Sequence, residues 1–190
     1  ALLEILLSHA GRALTRAQLE ASARLFSNDY QFAGRAPAPE QPVLCGHFNS
    51  LCLRPGLMLH AAQVRDLCDA HTHNPLRDAG LKIILLLDGA TDVAFGPRRL
   101  ALSARQGMLL NLAEPEMFSR RWQRGRHEAK VSLTLTRAWL QDSGAELGAA
   151  LAGFAGRHLA SQPWTPCPHA QQLARSLLAS SAASAGLRRL

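Results

Sequence analysis

Between Leu81 and Gln123 the apolar positions fall into four short runs, punctuated by Asp88-Gly89, Gly96-Pro97, Gln106-Gly107 and Glu114-Pro115. Each run is too short for a helix and ends in residues that favour turns. The pattern predicts an antiparallel meander, with Asp88-Gly89 as a two-residue hairpin loop. Short strands at regular spacing imply a sandwich or barrel. Leu81 to Leu87 is apolar at nearly every position, so both of its faces are expected to be covered. Farther on, Val93 and Phe95 alternate with Asp92 and Ala94, and Leu100 and Leu102 alternate with Arg99, Ala101 and Ser103. One side of those strands is expected to face a wetter environment.

The flanking pattern differs. Leu2 to Ser8 reads as a short helix, and Thr15 with Gln18 resembles a capping box that opens an amphipathic helix over Ala17 to Phe26. Arg35 to Pro42 is proline-rich and reads as a linker. Val43 to Leu53 is extended, Arg54-Pro55-Gly56 turns, and Leu57 to Ala62 and Val64 to Ala70 form two strands around Gln63. His71 to Pro75 reads as a loop, and His127 to Thr136 as the last strand, with Val131, Leu133 and Leu135 on one face. From Arg137 to Ala160 the leucines approach helical spacing until Gln162 to Pro168 breaks the run. A further helix is expected over His169 to Ser180, with Leu173, Leu177 and Leu178 on one stripe. The organisation predicted is an N-terminal helical segment and linker at 1–42, a barrel at 43–136 and a helical segment at 137–190. The last residues, Gly186 to Leu190, read like the opening of another helix, so further sequence is expected beyond them.

Composition narrows the class. With 190 residues, 47% hydrophobic and 18% charged, the chain has the make-up of a globular protein and room for a sizeable core. Its formal charge of +7 comes almost wholly from arginine. The arginines are scattered in ones and twos, which fits a solvated surface better than a nucleic-acid stripe; attraction of an anionic small molecule is the other reading. Cys45, Cys52, Cys68 and Cys167 lack paired spacing and are expected to be reduced thiols. No apolar run approaches the length of a membrane span and no leader pattern is visible, so a soluble, cytoplasmic protein without a membrane partner is expected.

The run from Leu81 to Gln123, the preceding LRPGLMLHAAQVRDL and the closing PHAQQLARSLLASSAASAGLRRL resemble the sensor half of AraC-type transcription regulators, in the branch of PchR and its relatives that responds to ferric siderophores. The resemblance covers roughly Leu53 to Leu190. It implies a mainly β protein with flanking α: a cupin-like antiparallel β-barrel, or double-stranded β-helix, followed by helices that support a homodimer. It also implies a small-molecule effector, and DNA as a partner only through carboxy-terminal helix-turn-helix units that this sequence does not include.

His71-x-His73 has the spacing of a strand-borne metal pair, yet no glutamate follows before Asp88 and Phe118 stands near where a later histidine is needed, so no metal and no cofactor are expected. No serine sits in a nucleophile setting, and no catalytic group is expected; a cupin-fold enzyme with a degenerate metal site is the alternative. Strand alternation puts Glu116, Phe118, Arg120 and Trp122 on one face, where flat aromatic surface and a fixed cation would suit an aromatic, anionic chelate. His60 is a second polar candidate. Phe118, Arg120, Trp122 and His60 are therefore the expected ligand-binding residues. Trp164, between two prolines, is expected to anchor the linker to the barrel.

Overall fold

The computed structural model describes residues 12–23, 29–142 and 153–187. Eleven strands and three helices are defined there: β1 (Arg12–Thr15), α1 (Arg16–Ala23), β2 (Gln31–Phe32), β3 (Pro42–Arg54), β4 (Leu57–Asp66), β5 (Ala70–Leu76), β6 (Gly80–Phe95), β7 (Arg98–Ser103), β8 (Gln106–Leu112), β9 (Glu116–Trp122), β10 (His127–Thr136), α2 (Arg137–Asp142), β11 (Ser161–Trp164) and α3 (Pro168–Leu187). Every strand pair is antiparallel.

The fold turns on β6. Its first half pairs with β10 on one side and β8 on the other, inside a layer that continues through β4, β3 and β1, while β11 extends the β8 side. Its second half pairs with β7 and β9 and belongs to a facing layer completed by β5 and β2. The strand changes layers at Leu87 to Gly89. There the register with β10 slips, with Ala129 opposite Asp88 but Lys130 opposite Leu86. Gly89 has φ +79°, and any Cβ would run into the His127 carbonyl. Such a bulge with a glycine bends a strand without ending it.

Asp88-Gly89 is therefore not the expected hairpin, and the region is not a simple meander. β8 hydrogen-bonds to β6 rather than to β7, its sequence neighbour. The turn between β7 and β8 falls at Ala104-Arg105, where Arg105 has φ +65°, and Gln106-Gly107 lies inside β8. The Gly96-Pro97 and Glu114-Pro115 turns are where the sequence puts them.

Two further segments differ from expectation. Leu57 to Asp66 is one strand, unbroken at Gln63. His71 to Pro75 is strand, not loop: β5 pairs with β9 throughout, but β2 reaches only Thr72 and His73. Pro75 thus sits where, among the described residues, one side of the strand has no partner strand, the place a sheet tolerates a missing N–H. β3 is extended over Val43 to Leu53, and β10 spans His127 to Thr136, both as expected.

Three hydrophobic clusters hold the layers. Between them, Ile84, Leu86, Leu110 and Leu112 pack against Val93, Phe95, Leu100 and Leu102. At one end, Leu14 and Leu19 join Val43, Val64 and Trp122, which ties β1 and α1 to the barrel. On the outer side of the first layer, Leu59, Ala61, Leu85, Leu87 and Val131 are covered by Ala174 and Leu178 of α3. Leu81 to Leu87 is thus covered on both faces, as its composition predicts.

The helices follow their local signals. Thr15 N–H donates to Gln18 Oε1 at 3.0 Å and Gln18 N–H donates to Thr15 Oγ1 at 3.3 Å, the reciprocal capping box. The expected helix at Leu2 to Ser8, and the end of the helix expected to reach Phe26, lie outside the described residues. α3 begins at Pro168, a good first helical position, and runs on to Leu187. Its expected leucine stripe divides. Leu178 is buried, whereas Leu173 and Leu177 are 53% and 40% exposed, because Ala170, Ala174 and Leu178 form the row that meets the sheet. Among the described residues no helix is long and apolar enough to cross a membrane.

Candidate functional site

The two layers face each other across an inner surface, and alternation decides what lines it. On β10 the inner positions are Glu128, Lys130, Ser132 and Thr134, between Val131 and Leu133, which point toward α3. The register sets His60 of β4 beside Ser132 and Ser50 of β3 beside His60, while Lys82 of β6 lies opposite Thr134. From the other layer, β9 contributes Phe118, Arg120 and Trp122, and β5 contributes Thr72 and Asn74. The alternation read from sequence for β9 therefore holds.

At one end this surface is closed by charge. Arg120 lies 2.9 Å from Asp66 and 3.6 Å from Glu128, and both carboxylates are nearly inaccessible. Asp66 also accepts from Arg126 at 3.0 Å and from the Gln123 N–H at 3.1 Å, and Glu128 accepts from Lys130 at 3.0 Å. Burial alone would raise the Glu128 carboxyl, but Lys130 and Arg120 outweigh it and hold it below the ordinary carboxylate range. The Arg120 guanidinium lies 4.2 Å from the Trp122 ring centroid, a cation–π contact. Trp122 Nε1–H donates to Thr72 Oγ1 at 3.0 Å, and its ring packs on Phe32. Burial pushes the nearby Tyr30 hydroxyl up to about 12.

The predicted residues therefore divide. Arg120 and Trp122 are 9% and 5% exposed, and the positive charge expected to oppose a ligand is already balanced by Asp66 and Glu128. That pair builds the wall instead of presenting a free cation. Phe118 is half-buried, its ring 5.1 Å from Phe95.

His60 stands apart from them, toward the other end. Its Nδ1 is 2.8 Å from Ser50 Oγ, and burial, with help from Lys130 and Lys82, lowers it to about 4, so it is neutral at pH 7. Around it Ser50, Lys82, Ser132 and Thr134 are all only half-buried. Lys82 Nζ donates to Thr134 Oγ1 at 3.0 Å, and burial lowers its ammonium to about 8. Opposite, Asn74 Oδ1 is buried with no hydrogen-bond partner among the described residues. This end is a polar face with hydrogen-bonding side chains on β3, β4, β6 and β10, chemically able to hold an anionic or hydrogen-bonding small molecule.

Sequence reasoning missed Lys82, Ser50 and Asn74, as well as Asp66 and Glu128. The available signal for Lys82 was composition: the chain contains two lysines among 21 basic residues, and both are inside.

His71 and His73 lie on the outer face of the second layer. Their rings are 4.5 Å apart, and His73 Nδ1 is 2.8 Å from Ser119 Oγ. Among the described residues no three His, Cys, Asp or Glu side chains converge as metal ligands. A separate surface groove of about 370 Å³ runs between β7 and β11, lined by Leu102, Met108 and Trp164 among others. Trp164 lies flat against Gly107 and so does anchor the returning chain to the barrel.

The family model described as the regulatory protein PchR N-terminal domain matches residues 45–190. Among solved structures, the AraC-like transcriptional activator CuxR superposes with a TM-score of 0.51 at 14% identity, over 91% of this chain and 59% of that one. The chain thus spans about three fifths of CuxR, and the likeness concerns the fold. Slighter likenesses, too weak to carry an argument, are to KdgF from Halomonas sp. (TM-score 0.35, 14% identity, 56% of this chain and 87% of that one) and to FeII HppE (0.38, 15%, 64% and 77%). No curated protein matches the chain.

Proposed function

The chain belongs to the family of the PchR N-terminal domain, and from that membership we propose that it is the ligand-sensing domain of an AraC-type transcription regulator whose effector is a ferric siderophore or similar aromatic chelate. The effector binds against the inner surface and the domain acts by binding, not by catalysis. The observation that carries this reading is the half-buried polar face around His60, Ser132 and Thr134. A barrel built only for stability would fill those positions with apolar side chains, as it does at Leu86 and Leu110. Phe118, half-buried on the facing layer, offers an aromatic surface to the chelate, and His60 offers a neutral hydrogen-bonding ring. In a cytoplasmic regulator of this kind, DNA is contacted by separate helix-turn-helix units, and the exposed Leu173 and Leu177 of α3 supply part of a homodimer contact.

Tryptophan fluorescence tests the reading. Trp122 closes the wall of the same inner surface, so at least one member of a panel of ferric chelates should quench emission more than its iron-free form does. Equal or absent quenching across the panel, in protein with a native circular dichroism spectrum, removes the siderophore reading.

A further inference from the structure

Lys82 and Lys130 are the two lysines of the chain. They project from adjacent strands onto the same inner surface, Lys130 opposite Leu86 and Lys82 opposite Thr134. An ammonium is a compact, strongly hydrated charge, and it is kept inside a fold at a cost unless a partner offsets it. Lys130 has that partner in Glu128 at 3.0 Å. Lys82 does not. It donates to Thr134 Oγ1, and Asp78, the carboxylate that acts on it, does so from beyond ion-pair distance. The other inward cation, Arg120, is held between Asp66 and Glu128. Among the described residues, Lys82 is the cation on this surface whose charge no adjacent carboxylate balances.

Its surroundings suit an incoming oxyanion. Thr134 on the adjacent strand β10 and His60 one strand farther, on β4, provide hydrogen-bonding groups, and Lys82 itself is only half-buried, so the site remains reachable. His60 lies close enough to both lysines for each to disfavour its protonation, which keeps it a neutral ring beside the ammonium.

Resting on the sensing reading above, we propose that Lys82, flanked by Thr134 and His60, is the anion subsite of the inner surface, and that the effector presents to it a localised oxyanion such as a carboxylate. The oxyanion does for Lys82 what Glu128 does for Lys130, and Arg120 takes no part in holding it.

Because the chain has two lysines, protein labelled with ε-13C lysine gives two side-chain signals, and Lys82→Gln assigns them. Benzoate should move the Lys82 signal and raise its titration midpoint by about one unit, while neutral benzamide leaves it in place. Lys82→Gln, with an unchanged melting transition, should lose benzoate binding, and Lys82→Arg should keep it. A Lys82 signal indifferent to benzoate, or equally sensitive to benzamide, overturns the proposal. The chelate panel separates this from the function. Quenching that survives undiminished in Lys82→Gln overturns the subsite while the sensing reading stands. A Lys82 signal that answers benzoate when no chelate quenches keeps the subsite and removes the siderophore class.

Discussion

At the scale of single residues, the inner surface separates side chains whose polar groups are paired for stability from those left open. Arg120 illustrates the first kind: alternation in sequence placed it correctly, but its partners Asp66 and Glu128 come from β4 and β10 and could not be read from β9. His60 gives a measurable consequence. Its folded-state value of about 4 lies below the ordinary 6.5, so the folded protein binds fewer protons than the unfolded chain between those values. Stability contributed by the neutral ring is present above pH 6.5 and is lost as pH falls toward 4. Denaturant unfolding at pH 7 and pH 4.5 should show a drop that is smaller in His60→Gln by about 2 kcal/mol. Equal drops in the two proteins would mean that His60 is hydrated, not enclosed. Lys82 was visible in the sequence only as an oddity of composition, since nothing in LKIILLL says which face the lysine occupies.

At the scale of elements, legibility follows how local the cause is. The capping box at Thr15, the alternation of β10 and the Gly96-Pro97 turn depend on adjacent residues, and all three are as the sequence implies. The layer change of β6 depends on β10 and β8 on its two sides, so Asp88-Gly89 reads as a hairpin in sequence and is a bend in the structure. The strand character of His71 to Pro75 likewise comes from β9. β11 is a four-residue strand held on β8, with Trp164 against Gly107, and it leads directly into α3. Gly107→Val would place a side chain where the indole lies. Hydrogen exchange should then accelerate at residues 161–164 and in the first turns of α3, while β6 and β10 keep their protection. Unchanged exchange in β11 would show that this contact does not hold the strand.

At the scale of the whole molecule, a curled antiparallel sheet carries α3 on its outer side and a partly open polar surface on its inner side, with β6 and β10 contributing to both. A ligand on one side is therefore one strand thickness from the helix on the other, a layout suited to a sensor. That antiparallel strands build a sandwich or barrel was legible from turn spacing. Which side of β6 faces the interior was not, because Leu81 to Leu87 is apolar on both. The three methionines offer a direct test of where the effector binds. Met58, beside Thr134, and Met108, packed with Ile84, face inward, whereas Met117 is on the outer face and 38% exposed. Methyl NMR of the protein titrated with a quenching ferric chelate should move the Met58 and Met108 signals and leave Met117 unmoved. Shifts confined to Met117, with Met58 and Met108 unchanged at saturation, would contradict a ligand site on the inner surface.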